Sequence, residues 1–143
     1  MEHWEQAKQI LEAEGCTCVI CGAGGIYKSD RRGVAPLLVL LDMGTDMTGA
    51  SAADRVVGKA TAFLYGLLGV KQVYARVMSK PAAAVLTELG IVHACDQLVE
   101  GIENRQKTGP CPMEHATRDC RTPEAALAAI RQTLESLQKK AGA

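Results

Sequence analysis

The stretch Ser51-Ala-Ala-Asp-Arg-Val-Val-Gly-Lys-Ala60 decides how the middle of this chain is expected to fold. Together with the residues that follow, it predicts one long amphipathic helix that ends near Gly69, because apolar side chains recur every three to four positions on one side. Ser51 and Asp54 fit the capping-box spacing, in which each side chain bonds a backbone N–H at the start of a helix. The apolar side of this helix consists of Val56, Ala60, Phe63, Leu64 and Leu67.

The segments before this stretch predict a helix, a hairpin and a buried helix. Helical spacing runs to about Glu14, and Gly15 ends the first helix there. Residues 16–21 and 26–29 predict two strands joined by a glycine-rich turn. Residues 34–43 are apolar almost throughout and predict a buried helix.

The segments after the stretch alternate between strand and helix. Residues 72–78 and 91–95 predict two strands, and the helix between them is long enough to connect them as a parallel pair. Residues 97–110 predict a loop, and a last helix follows it. This order predicts an α/β fold, a three-layer α/β/α sandwich around a mixed sheet, in a single domain over residues 1–143.

The composition excludes two classes of partner. The chain has 143 residues with 16 basic and 16 acidic side chains, and 3% of its residues are aromatic. Because a large basic surface and aromatic platforms for bases are both missing, we expect no binding of nucleic acid. The sequence contains no long apolar run and no signal peptide, so we expect no membrane span, a cytoplasmic location and mostly free cysteines.

Several short segments carry a resemblance to a known family. They are Arg32-Gly33 with Pro36-Leu37-Leu38, Ala53-Asp-Arg-Val-Val-Gly-Lys-Ala60, Asn104-Arg105, and Gly109-Pro-Cys-Pro-Met-Glu114. With these segments the chain resembles the small prokaryotic family named domain of unknown function 1893, from about residue 16 to its end. The resemblance implies a cytidine-deaminase-like fold and an activity that is unassigned.

The resemblance also implies that the deaminase zinc motif is absent. Zinc-dependent nucleoside deaminases carry a metal-binding His and a catalytic Glu at one helix start and two Cys at the next. The corresponding positions here hold Asp54 and Lys59, and then Ser79-Lys80-Pro81 without a Cys. We therefore expect no zinc, no other cofactor, and no deamination of cytidine or adenosine.

Three predicted helix starts, at Ser51, Ser79 and Cys111, indicate where a small ligand would bind. Helix starts present unpaired backbone N–H groups and a positive dipole end, which suit an anionic group. In this fold they are expected to meet at the carboxyl ends of the strands, with Arg105 and Lys59 as counter-charges. The predicted ligand-binding residues are Asp54, Lys59, Ser79, Arg105, Cys111 and Glu114.

Two of these residues also have a purely structural interpretation. Asp54 is explained by its helix cap alone, or it accepts hydrogen bonds from hydroxyl or amino groups of a ligand. Lys59 lies about 140° around the predicted helix from Asp54. It is therefore either a solvated side chain or a separate counter-charge for the ligand.

Cys111 is the tentative catalytic residue. Pro112 and Glu114 suit the first and third positions of a short helix, so Cys111 falls at the N-cap, where the positive end of the helix favours a thiolate. His115 follows four residues later and would allow a Cys–His nucleophile pair. The alternative is an inert thiol packed under the preceding turn, and Glu114 opposes a thiolate electrostatically.

The cysteines at 16, 18 and 21 have a spacing that suits a metal or an iron–sulfur cluster. In an extended strand, however, Cys16 and Cys18 lie on one face and Cys21 on the other. We therefore expect three buried residues that form no metal site.

The predicted function is the binding of a small, nucleotide-like ligand, a class favoured by analogy with the implied fold. Two alternatives remain, which are a thiol-dependent enzyme that uses Cys111 and a structural or interaction module without pocket chemistry. Residues 34–41 are apolar around the whole circumference of their helix, which is more than one packing face requires. A homodimer that covers part of this helix is therefore expected.

Overall fold

The computed structural model describes residues 2–104, 106, 107, 109 and 111–142. The elements alternate along the chain and are numbered in chain order. They are α1 His3–Glu14, β1 Cys18–Gly22, β2 Gly25–Ser29, α2 Ala35–Asp42, β3 Ser51–Val57, α3 Lys59–Leu68, β4 Gln72–Ser79, α4 Lys80–Glu88, β5 Val92–Val99, α5 Pro112–Thr117 and α6 Pro123–Gly142.

The five strands form one mixed sheet in the order β2-β1-β3-β4-β5. Strand β1 is antiparallel to both of its neighbours, whereas β3, β4 and β5 are parallel. Helix α1 packs on one face of the sheet, and α2, α3, α4 and α6 contribute to the larger core on the other. The predicted α/β class, with three layers around a mixed sheet, is therefore confirmed.

The segment Ser51–Val57 is strand β3, and the prediction of a helix start at Ser51 was wrong. Strand β3 lies between β1 and β4, and Ala52 and Ala53 are buried on opposite faces of the sheet. A strand buried on both faces has a continuous apolar pattern, which periodicity alone does not distinguish from a buried helix. The capping box therefore does not form, and the Ser51 hydroxyl instead donates to Gln72 Oε1 at 3.3 Å.

Helix α3 begins at Lys59, eight positions later than the start predicted at Ser51. Gly58 precedes it in an extended conformation and turns the chain from the sheet into the helix. The helix ends at Gly69 in the left-handed region, as the sequence predicted. A second boundary also differs from the prediction. Strand β5 continues through Val99, so residues 97–99 belong to a strand and not to the predicted loop.

The three cysteines near the first strand occupy both faces of the sheet. Cys18 lies in the larger core, and Cys21 lies in the cluster under α1. Cys16 precedes the strand and packs against the α1 cluster, so the prediction that it shares a face with Cys18 was wrong. The three thiols therefore lie on two faces of the sheet, as expected, but Cys16 is on the side of Cys21 and not on the side of Cys18.

Helix α2 is buried mainly by its own chain. Pro36, Leu37, Leu38 and Leu40 all lie in the core of this chain. The apolar circumference of this helix therefore needs no second subunit to cover it. Among the described residues, no helix is long and apolar enough to cross a membrane.

Candidate functional site

A cavity of about 370 Å³ opens where β3 leaves the sheet. Its walls come from the end of β3, the start of α3, the start of β1, the β2–α2 loop, and the segment that contains α5. Because β1 is antiparallel to β3, its Cys18 pairs with Asp54 and both side chains line this space. The volume falls within the range of about 300–1,000 Å³ that is usual for small-molecule sites.

Asp54 is the most unusual residue of the cavity. Its side chain projects from β3, and the residue is 8% exposed. Its Oδ2 accepts a hydrogen bond from the Tyr65 hydroxyl at 2.7 Å, and its Oδ1 accepts one from the Val56 N–H at 3.3 Å. Burial raises the pKa of the Asp54 carboxyl to about 7, since the loss of hydration outweighs the hydrogen bonds from Tyr65 and from the backbone of Val56 and Arg55.

Tyr65 connects Asp54 to a buried thiol. The Tyr65 hydroxyl lies 3.3 Å from Cys18 Sγ, and Tyr65 itself is fully buried in α3. Burial raises the pKa values of both the Tyr65 hydroxyl and the Cys18 thiol, and the neighbouring Asp54 charge raises them further. Cys18 therefore remains a neutral thiol at physiological pH.

Replacing Tyr65 with Phe is expected to raise the pKa of Asp54 further, because the hydroxyl stabilises the carboxylate form. The loss of this buried hydrogen bond should also lower the free energy of unfolding by about 1–3 kcal/mol. Carboxyl ¹³C chemical shifts followed against pH measure the first effect, and urea unfolding measures the second. A lower Asp54 pKa in the Phe variant would contradict the assignment of this hydrogen bond.

Glu114 attaches α5 to the start of α3. Its Oε1 accepts a hydrogen bond from the Lys59 backbone N–H at 2.7 Å, which satisfies one of the free donors of that helix end. Burial raises the pKa of Glu114, and the contact with Lys59 opposes this shift. Gly58 is needed for the approach, because a Cβ at this position would lie 1.8 Å from Glu114 Oε1.

Cys111 lines the same cavity as Asp54 and Glu114. It occupies the N-cap position of α5, as predicted, but its side chain makes no capping hydrogen bond. His115 contacts it through the backbone, where the His115 N–H donates to the Cys111 carbonyl at 3.0 Å. Among the described residues, no hydrogen bond joins the Cys111 thiol to the His115 ring, so the proposed Cys–His pair has no structural support.

Two other predicted residues lie outside the cavity. Lys59 Nζ donates to the Arg118 carbonyl at 2.7 Å and lies over the Phe63 ring, which places it in a separate depression. The Ser79 side chain is fully buried, and its oxygen caps α4 by accepting from the Ala82 N–H at 3.1 Å. Arg105 falls outside the described residues. The predicted meeting of three helix starts is therefore not formed, because Ser51 begins a strand and Ser79 lines no part of this cavity.

Three arginines on the cavity wall were not predicted from the sequence. Arg31 and Arg32 belong to the β2–α2 loop and are exposed to solvent. The Arg55 guanidinium is already hydrogen-bonded within the chain, since it donates to the carbonyls of Cys16 and Gly15 at 2.8 and 2.7 Å. Among the described residues that line the cavity, Arg31 and Arg32 are therefore the positive groups available to a ligand. The adjacent Arg32-Gly33 pair is also one of the segments on which the family resemblance rests.

The family of TM1506, described as a domain of unknown function (DUF1893), matches residues 6–134 of this chain. The chain belongs to this family. The crystal structure of a DUF1893 family protein (TM1506) from Thermotoga maritima has a TM-score of 0.82 and 24% sequence identity, and the match covers 94% of this chain and 89% of that one. At this identity the comparison shows a shared fold and assigns no role to any residue.

A weaker structural similarity links this DUF1893 chain to a deaminase fold. The dCMP deaminase from the cyanophage S-TIM5, in its apo form, has a TM-score of 0.44 and 14% identity over 68% of this chain and 94% of that one. No curated protein sequence matches the chain. In the part of the chain that the structure describes, no three His, Cys, Asp or Glu side chains lie close enough together to bind a metal ion.

Proposed function

We propose that this DUF1893 protein binds a small, nucleotide-like ligand in the cavity beside Asp54. The observation that carries the proposal is a carboxyl group buried at a cavity wall without a basic partner. No ion pair of Asp54 occurs among the described residues, and Arg55 is occupied by backbone carbonyls. A carboxyl with a strongly raised pKa in a cleft is characteristic of functional sites, since its burial otherwise only destabilises the fold.

The distribution of charge within the cavity supports the nucleotide-like class. Asp54 and Glu114 place carboxyl oxygens on the inner walls, where they accept hydrogen bonds from amino or hydroxyl groups. Arg31 and Arg32 on the exposed loop suit a phosphate or another anionic group. The lining also includes apolar residues such as Val34, Pro36 and Met113, which suit a planar ring.

Binding experiments on the Asp54→Asn variant test this proposal. Mass spectrometry of small molecules that co-purify with the protein, together with calorimetric titration of nucleoside monophosphates, should identify a ligand of the wild-type protein. At pH 8, where the Asp54 carboxyl is ionised, Asp54→Asn is expected to weaken its binding at least about tenfold, because an amide replaces a charged acceptor in a buried site.

Asp42→Asn is the matched control, since this exposed Asp on α2 pairs with Arg131 and does not line the cavity. Its affinity should equal that of the wild-type protein, and Arg32→Ala should selectively weaken ligands that carry a phosphate. Equal affinities in the wild-type and Asp54→Asn proteins, or the absence of any small-molecule ligand, would contradict the proposal.

The proposed ligand site requires no cofactor. A cytoplasmic setting is part of the proposal, because the six cysteines are free thiols and persist in that state in a reducing compartment. The expected homodimer also remains part of the proposal, although α2 itself needs no second subunit to cover it.

A further inference from the structure

The start of helix α3 forms part of the wall of the Asp54 cavity. The helix has ten residues, and Ala60 and Thr61 from its first turn line the cavity. The first N–H groups of a helix have no acceptor within it. In α3 the Lys59 N–H donates to Glu114, and the fourth N–H donates to the N-cap carbonyl. Within the described part of the chain, the N–H groups of Ala60 and Thr61 have no acceptor, so they remain available to a ligand.

The Thr61 side chain points to a ligand independently of the helix start. Thr61 is 6% exposed, yet its hydroxyl has no hydrogen-bond partner among the described residues. In that part of the chain no fully enclosed side-chain oxygen or nitrogen lacks a partner, so the Thr61 hydroxyl is open to the cavity that the residue lines. Because buried polar groups are normally hydrogen-bonded, an unpaired hydroxyl at a cavity wall suits a ligand that completes its bonding.

The same wall provides acceptors beside these donors. Glu114 Oε1 is bound to the Lys59 N–H, whereas Glu114 Oε2 has no hydrogen-bond partner among the described residues. Asp54 adds a second carboxyl group to the wall. A phosphate at the start of α3 would lie among these carboxyl groups and would be repelled by them, whereas a neutral carbonyl group would not. Arg31 and Arg32 on the exposed loop remain the suitable partners for a phosphate.

We propose that the start of α3 binds the lactam group of a nucleotide-like ligand, which is a ring carbonyl with an adjacent ring N–H. The carbonyl oxygen accepts hydrogen bonds from the Thr61 hydroxyl and from a free N–H of the first turn, and the ring N–H donates to Glu114 Oε2. Uracil and hypoxanthine carry this group. Cytosine and adenine present an amino group and an unprotonated ring nitrogen at the same positions, so their polarity is reversed. This inference rests on the ligand site proposed beside Asp54 and specifies the ring that it accepts.

Two pairs of nucleoside 5′-monophosphates test the proposal by calorimetric titration at pH 8. Inosine and adenosine monophosphates have nearly the same shape, as do uridine and cytidine monophosphates, and each pair differs at the ring edge in question. In each pair that the protein binds, the lactam member should bind at least about tenfold more tightly. The other member leaves buried donors and acceptors unpaired, which costs affinity.

Thr61→Val and Glu114→Gln test the two groups that would contact the ring. Thr61→Val removes the hydroxyl at nearly constant volume and should weaken the lactam ligands about fivefold, with no change for the other two. In Glu114→Gln the amide oxygen can still accept from the Lys59 N–H. The amide NH₂ then replaces the acceptor for the ring N–H, so the lactam preference should fall at least about tenfold. Thr87→Val is the matched control, since this exposed residue of α4 does not line the cavity, and its affinities should equal those of the wild-type protein.

The outcomes separate this inference from the proposed function. Circular dichroism first verifies that the three variants are folded. If none of the four nucleotides binds the wild-type protein, the proposed function and the lactam assignment are both wrong. Equal affinities within each pair, a preference for the amino member, or a lactam preference that persists in both Thr61→Val and Glu114→Gln would overturn the lactam assignment alone. An equal loss of affinity for all four nucleotides in Thr61→Val would show that the helix start binds the phosphate, and would overturn it as well.

Discussion

Asp54→Asn should unfold at a higher urea concentration than the wild-type protein above pH 7, and at nearly the same concentration near pH 4. The pKa of Asp54 is raised from 3.8 to about 7 in the folded protein. Between these two pH values the unfolded chain has lost this proton while the folded protein retains it. The stability of the wild-type protein therefore falls as the pH rises through this window, and it is constant with respect to Asp54 above it.

The expected difference is large because one pKa unit corresponds to about 1.4 kcal/mol, so the full window of about three units amounts to about 4 kcal/mol. An Asn side chain is neutral at every pH and resembles the protonated carboxyl, so it removes the cost of burying the charge. Glu114 has a raised pKa and contributes in the same direction, but it is present in both proteins. The difference between the two unfolding curves therefore isolates Asp54.

Urea unfolding at pH 4, 5.5 and 8 measures this effect. The control Asp42→Asn should follow the wild-type protein at each pH, because Asp42 is exposed on the surface. Parallel pH dependence of the Asp54→Asn and wild-type proteins would show that Asp54 is ionised without cost, and the main argument for a functional site would be lost.

Gly58→Ala should lower the free energy of unfolding by about 2–3 kcal/mol, although alanine readily adopts the extended backbone conformation of Gly58. The new Cβ would lie 1.8 Å from Glu114 Oε1, 2.9 Å from its Cδ and 3.1 Å from Ile102 Cγ1. The Glu114 side chain must therefore move away, and the hydrogen bond to the Lys59 N–H is lost. Helix α5 carries Cys111 and Glu114, so the cavity should change shape together with this contact.

A double-mutant cycle with Glu114→Ala measures the coupling by urea unfolding. In the Glu114→Ala background the cost of Gly58→Ala should fall below about 1 kcal/mol, because the principal obstacle is gone. Gly24→Ala is the control, since a Cβ there meets nothing within 4 Å, and it should change the stability by less than about 0.5 kcal/mol. Equal costs of Gly58→Ala in the two backgrounds would show that Glu114 is not the obstacle.

Local signals in the sequence determined most helix ends and the class of the fold. Gly15 and Gly69 adopt left-handed conformations that end α1 and α3, and Ser79 caps α4. These features depend on a few neighbouring residues, because a positive φ favours glycine and a cap needs a nearby side-chain oxygen. The alternation of these elements along the chain was sufficient to predict three layers around a mixed sheet.

Tertiary structure alone decided the nature of residues 51–57 and the composition of the cavity. Strand β3 is held by backbone hydrogen bonds to β1 and β4, which are distant in sequence, so its local apolar pattern was equally consistent with a helix. Asp54, Cys111 and Glu114 line one cavity, although the meeting of helix starts from which this was predicted does not form. The cavity wall also contains Arg31 and Arg32. Lys59 and Ser79, which were predicted to belong to the site, lie outside it. Burial of Asp54 depends on the packing of α3 and Tyr65 above it, and no local pattern encodes that environment.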